Sequence, residues 1–276
     1  MSSRTEELRA FLRSRRAQLL PADVGLPTFD GPRRVPGLRR EELAQLSGIS
    51  LDYYVRLEQG RNEKVSEAVL DALARTLRLD EVERRHLHNL ARPRRSLRPS
   101  GDRMPGGMRE LLDNLSNTPA FMVGRRTRVL AWNRSASAIL FDFGAVPAHQ
   151  RSLARLVFLD AAARRVYGDW QTMAREVTAL LHLELGRHPE DRRLASLVSE
   201  LSLSSSEFQR LWAEQHVSYS PHRTLLLRHP RLGSFSVTFR ALRAPRTPTS
   251  CCSPTHPSRT SPCRGHFGRR RHCDGG

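Results

Sequence analysis

The sequence predicts a mainly α protein: a five-helix domain over residues 1–92, a linker at 93–107, and an α+β domain over 108–243. Three observations carry this. Short amphipathic periodicities with capping residues crowd the first ninety positions. "RPRRSLRPSGDRMPGG" (92–107) then breaks them with Pro, Gly, Ser and Arg. Beyond it, alternating apolar runs stand at both ends of a helical middle, as when a sheet is completed late in the chain.

The first helix is expected over 5–20, with Leu8, Phe11, Leu12 and Leu19 at helical spacing, ended by Pro21 and a Gly/Pro-rich loop. Two short helices follow at about 39–46 and 51–58. Ser66 is placed to cap a fourth, with Val69, Leu70, Leu73 and Leu77 on one face, and Asp80 a fifth, with Val82, Leu87 and Leu90 inward. After the linker come a helix near 108–116 and two strands in "PAFMVGRRTRVLAWN". Helical stretches are expected near 133–141, 150–165, 169–185, 190–201 and 205–215. "TLLLRHPRLGSFSVTFRAL" closes the domain as a hairpin.

"GLRREELAQLSGISLDYYVRLEQGRNEK" (37–64) packs two short helices around Gly48-Ile49-Ser50. Leu43, Ala44, Leu46, Ile49, Tyr54 and Leu57 give both an inward face, Gly48 makes the turn and Ser50 caps the second helix. This is helix-turn-helix grammar, in which the second helix enters the major groove of double-stranded DNA. Arg39 and Arg40, at the start of the first helix, suit a phosphate. The outward face of the second carries Leu51, Asp52, Tyr53 and Arg56. Arg56 suits a guanine edge and Leu51 a thymine methyl. Asp52 suits a cytosine amine or simply the helix N-terminus, and Tyr53 a phosphate. Arg61 and Lys64 add backbone contacts. The competing reading is a protein-interaction adaptor that kept the helical hairpin, and it would be indifferent to replacing Arg39, Arg40 and Arg56.

Charge alone does not decide between them. The chain carries 46 basic and 28 acidic residues, but the excess is spread: 20 against 14 over 1–100, 18 against 13 over 101–239, and 8 against 1 over 240–276. No stretch reaches the ~18 apolar residues of a membrane helix, and the charged N-terminus lacks a signal-peptide core. The expected compartment is the cytoplasm, in association with the nucleoid, with no membrane contact. All four cysteines lie in "APRTPTSCCSPTHPSRTSPCRGHFGRRRHCDGG", where irregular spacing and the lack of a CxxC pair argue against a metal site. That tail, 244–276, is expected to be disordered, because its composition cannot bury enough apolar surface. No Gly-rich phosphate loop, HExxH or GxSxG motif occurs, so no enzyme, catalytic residue or cofactor is expected.

"RVPGLRREELAQLSGISLDYYVRLEQGR" with "LDALARTLRLDEVERRHLHNLA" resembles the xenobiotic-response-element class of repressors, and more narrowly the MmyB-like regulators of actinobacteria. "TPAFMVGRRTRVLAWNRSA", "RSLARLVFLDAAARRVYGDW" and "LVSELSLSSSEFQRLW" resemble that family's ligand-binding domain, so the resemblance runs from about residue 5 to 243. It implies a transcription regulator with a PAS-like sensor for a small hydrophobic, fatty-acid-like effector. After "FRALRAP" the family continues with an acidic loop, a strand and a helix, whereas this chain has its Cys/Pro/Arg tail. The departure implies a frameshift near residue 245 and a sheet short of an edge strand.

Within the sensor, Trp132, Phe158, Trp170 and Trp212 are candidates to line an effector pocket, set against the ordinary expectation that aromatics at such spacing are core. Asn133 caps a helix or faces the ligand, and Arg175 pairs with an effector carboxylate or a surface acid. Few base contacts per head give little specificity, so a homodimer on a two-fold operator is expected.

Overall fold

A computed structural model describes residues 4–26, 35, 37–61, 65–92, 104, 106–115, 117–243 and 250–258. Lys64, most of the 93–107 linker and the tail beyond 258 lie outside them. The N-terminal head consists of α1 (Arg4–Gln18), α2 (Arg40–Leu46), α3 (Leu51–Glu58), α4 (Glu67–Thr76) and α5 (Glu81–Ala91). Local chemistry starts the last three. The Ser50 and Ser66 hydroxyls accept from the N–H groups of Tyr53 and Val69. Asp80 accepts from Val82 and Glu83 while the Glu83 carboxylate accepts from its N–H. Phe11, Leu12, Leu43, Tyr54, Leu57, Leu70, Leu73, Leu87 and Leu90 close one core, as the periodicities predict.

The C-terminal domain begins with α6 (Met108–Asn114), β1 (Phe121–Val123) and β2 (Val129–Trp132). Its helical middle is α7 (Arg134–Ile139), α8 (Leu153–Leu159), α9 (Ala161–Val166), α10 (Trp170–Arg187), α11 (Arg192–Ser204) and α12 (Ser206–Ala213). The stretch expected as one helix at 150–165 is two, because Asp160 adopts an extended backbone and caps α9 through the Ala162 N–H. Strands β3 (His222–His229), β4 (Gly233–Arg243) and β5 (Ser250–Ser258) complete an antiparallel sheet in the order β2-β1-β5-β4-β3. The main core, with residues from α7 to α12, lies against one face of the sheet, while Leu112 of α6 joins Met122 and Ala131 in a smaller one.

Strand β5 corrects the reading of the tail. Residues 250–258 fall in the stretch expected to be disordered, yet they pair with β1 on one side and β4 on the other. The composition argument weighed side-chain burial, whereas a strand between two others is held by backbone hydrogen bonds, which do not depend on how much its side chains bury. Pro254 and Pro257 each remove a donor, and the register against β4 shifts between Val237 and Thr238. The sheet therefore has β5 at its centre, where the missing strand was expected to leave an open edge.

The two domains meet along α10. From Glu176 to Arg187 this helix has no exposed residue. One side faces the sensor core, and the other faces α1 and α5. Ser14 Oγ donates to the Glu214 carbonyl at 2.9 Å and Arg15 Nη2 to the Gln215 carbonyl at 2.5 Å. Leu183 and Val217 are buried in the head's own core. His86 of α5 and His182 of α10 are buried here as well. Neither His86 ring nitrogen has a hydrogen-bond partner, and His182 stacks on Trp212 with ring centroids 3.8 Å apart.

Burial, above all, drives both imidazoles down to about 3. The charges of Arg15 and Arg187 add to this at His86, and that of His86 at His182, where the Trp212 backbone opposes without reversing it. Glu7 of α1 stands 3.8 Å from His182 Nδ1, beyond hydrogen-bonding reach, and His216 lies on the flanking segment. An unfolded histidine titrates near ~6.5. Between that pH and about 3 the unfolded chain binds more protons, so this contribution to stability is complete above ~6.5 and is lost as pH falls toward 3. The urea midpoint should therefore fall between pH 7.5 and pH 5, and His86→Leu with His182→Leu should flatten that slope. A midpoint equally pH-sensitive in the double variant would show that other groups govern it.

Candidate nucleic-acid interface and ligand cavity

The turn between α2 and α3 is built on Gly48, whose φ of 67° is left-handed. The N–H groups of Gly48 and Ile49 donate to the Gln45 and Ala44 carbonyls, closing α2, and Ser50 opens α3 at once. With Tyr54 and Leu57 buried, α3 turns Leu51, Asp52 and Arg56 outward and leaves Tyr53 half-buried. Arg56 Nη2 is 2.9 Å from Asp52 one turn earlier, with both side chains well exposed. Such a pair is worth about 0.3–0.5 kcal/mol, less than a bidentate contact to a base gains, so it does not bar Arg56 from a guanine. Arg39 and Arg61 are exposed on either flank.

Arg40 is placed differently from the sequence expectation. Its Nε is 2.5 Å from Oε2 of Glu58, a buried carboxylate at the end of α3, whose Oε1 accepts from Arg16 Nη2 at 3.1 Å. Arg16 also donates to the Leu38 carbonyl at 2.7 Å. Glu58 thus ties α1, the approach to α2, and α3 together. Arg40 spends its charge there first, and the Glu58 hydrogen bond raises its pKa above the ordinary value.

In the second domain a cavity of about 240 Å³ lies between the sheet and α10. Phe121, Leu225, Phe239 and Ala241 form the sheet side, while Met173, Leu180, Leu183, Glu184 and Arg187 recur at helical spacing along α10. Arg223 also lines it, held by Glu176 at 2.9 Å. Gly124 and Thr127 close one side through a turn in which Arg126 and Thr127 have φ of 55° and 56°. Left-handed backbone at two non-glycine residues is costly and needs support. Asp191 supplies it: Oδ2 takes Arg125 and Arg126, each at 2.9 Å, and Oδ1 caps α11. Burial opposes ionisation of Asp191, but the Arg126 hydrogen bond and both arginine charges hold its carboxyl below the usual carboxylate range.

A helix-turn-helix domain family matches residues 7–87, and the MmyB-like transcription regulator ligand binding domain family matches residues 104–262. The chain belongs to the MmyB-like transcription regulators. It is a DNA-binding transcription regulator with a ligand-sensing domain, and the second match runs past the boundary at 243 to include β5. Among curated proteins, none matches the chain. Among its described residues no helix is long and apolar enough to cross a membrane.

None of the six candidate ligand residues lines the cavity of this MmyB-like regulator. Trp132 packs on Phe143 beneath the Arg151 guanidinium. Phe158, Trp170, Phe208 and Trp212 form a chain of ring contacts, and Trp170 Nε1 donates to the Val157 carbonyl. Asn133 caps α7, and its Nδ2 donates to the Leu115 and Thr118 carbonyls. Arg175 is exposed, off the stripe that faces the cavity. The alternation of β3 and the stripe on α10 were the signals that could have found the lining.

In each domain of the MmyB-like regulator one carboxylate holds two arginines, buried Glu58 in the head and half-buried Asp191 in the sensor. Glu58→Gln should destabilise the head by about 3–5 kcal/mol, because it removes the buried carboxylate facing the Arg16 guanidinium, and Asp191→Asn should destabilise the sensor by less, because Asp191 is only half-buried. Urea denaturation followed separately in the two domains checks this. A loss under 1 kcal/mol in either would mean that the pair is solvated.

Proposed function

We propose that this regulator binds a two-fold operator as a homodimer, in the cytoplasm and on the nucleoid, under control of a slender, fatty-acid-like effector held between the sheet and α10. The observation that carries the DNA reading is the outward face of α3: Leu51, Asp52 and Arg56 are exposed together on a helix whose opposite face is fixed in the core. Arg39 and Arg61 flank it as phosphate contacts, Tyr53 adds another, and Lys64 extends the set on the sequence reading. Arg40 contributes mainly by orienting α2 through Glu58. The apolar lining of the cavity, with a few charged groups at its margin, supports a hydrophobic effector, and no catalytic role is assigned to it.

Binding to operators selected from random duplexes tests this. Arg56→Ala should cost about 1–3 kcal/mol and relax one base position. Arg39→Ala should weaken all sequences alike and reduce the salt dependence by about one ion. Indifference to both changes would favour the adaptor reading, in which the helical hairpin meets protein.

A further inference from the structure

The cavity and the contact between the domains share a wall. Along α10, Leu180, Glu184 and Arg187 line the cavity, while Gly186 meets the head. A Cβ on Gly186 would stand 2.5 Å from His86 Nδ1, so the head and α10 touch there with no room for a side chain. Leu183 belongs to both sites: it lines the cavity and is buried in the head core. Tyr219 lines the cavity too and packs against the same head core.

We propose that filling the cavity displaces Leu183 and Tyr219 and loosens α1 and α5 of the head from α10. This rests on the reading of the cavity as the effector site. At about 240 Å³ the cavity is smaller than the ~300–1,000 Å³ of most small-molecule sites, so a ligand of ordinary size is enclosed only if a wall moves. The other walls are braced: the sheet by its backbone ladder, the Thr127 turn by Asp191, and β3 to α10 by Arg223 and Glu176. The Leu183 wall is backed by the domain contact, where the buried His86 ring has no hydrogen bond to offset its desolvation. It is the wall that yields. Release changes how the heads are held relative to one another, because α3 is open already in the docked form.

Hydrogen exchange on the full chain tests this without knowledge of the natural ligand. Ala241→Phe fills the cavity from the sheet, and Leu180→Trp fills it from α10. Each should raise exchange of α1 and α5 amides facing α10 at least tenfold, as Gly186→Ala should by breaking the contact directly, while amides of α4 stay unchanged. Ala241→Leu serves if the larger substitution unfolds the domain. Decanoate is the probe for the occupied state. It should raise the same amides in the native chain and bind Gly186→Ala more tightly by the factor it loosens the contact, since coupling is reciprocal. Folded, cavity-filled variants that exclude decanoate but leave α1 and α5 unchanged would overturn the coupling. Filled variants that loosen the head, in a protein that ignores decanoate, would sustain the coupling and remove the fatty-acid reading instead.

Discussion

Helix α10 is buried on both sides, and that constraint organises the rest of the molecule. A helix facing one core needs a single apolar stripe, but α10 buries Val177, Leu181 and Leu185 toward the sensor and presents His182, Leu183 and Gly186 to the head. Its small residues, Ala174, Ala179 and Gly186, are fully or almost fully enclosed and let neighbours approach closely. The imidazoles carried into this contact are the polar cost of joining two cores through one helix. Neutral, they pack as flat rings against Phe11 and Trp212.

The head solves a different problem. Helices of seven and eight residues are too short to persist alone, so α2 and α3 exist only as part of the bundle. Leu43, Ala44, Tyr54 and Leu57 bury their inner faces, and Glu58 fixes the end of α3 against α1 and α2. The buried carboxylate with two arginines is a poor source of net stability compared with apolar packing, but its hydrogen bonds tie the end of α3 to fixed points on α1 and α2. Orientation of the outward face of α3 follows from that inner geometry.

What was legible in the sequence follows from the range of the interactions involved. All five head helices were predicted to within a few residues, because caps such as Ser50, Ser66 and Asp80 act over three positions and periodicity over ten. The sequence marks Arg40 as a phosphate contact but not its tie to Glu58, because that partner is eighteen positions away and looks like any exposed helix acid. The cavity escaped prediction for a related reason. Large rings such as Trp170 and Phe208 fill space, and a hollow is left where Gly124, Thr127, Leu180 and Ala241 from distant elements fail to meet. Strand β5 was missed because composition measures what side chains bury and is silent on backbone pairing.

The arrangement also limits how a signal can reach DNA. The sensor touches the head at α1 and α5, while Leu51, Asp52 and Arg56 remain exposed on α3. Within one chain the docked sensor therefore leaves the reading face uncovered. What docking does fix is the direction in which each head points from its sensor. A head held rigidly meets DNA already oriented, whereas a released head loses that preorganisation and pays the ordering entropy on binding. An allosteric coupling of ordinary size, about 1–3 kcal/mol, then amounts to a roughly 5- to 150-fold change in operator affinity with no change in any base contact. A contact made of Leu183, Val217, two buried imidazoles and the hydrogen bonds of Ser14 and Arg15 to the Glu214 and Gln215 carbonyls is small enough for such a coupling to shift; a larger apolar interface would lock the head in place whatever the sensor bound.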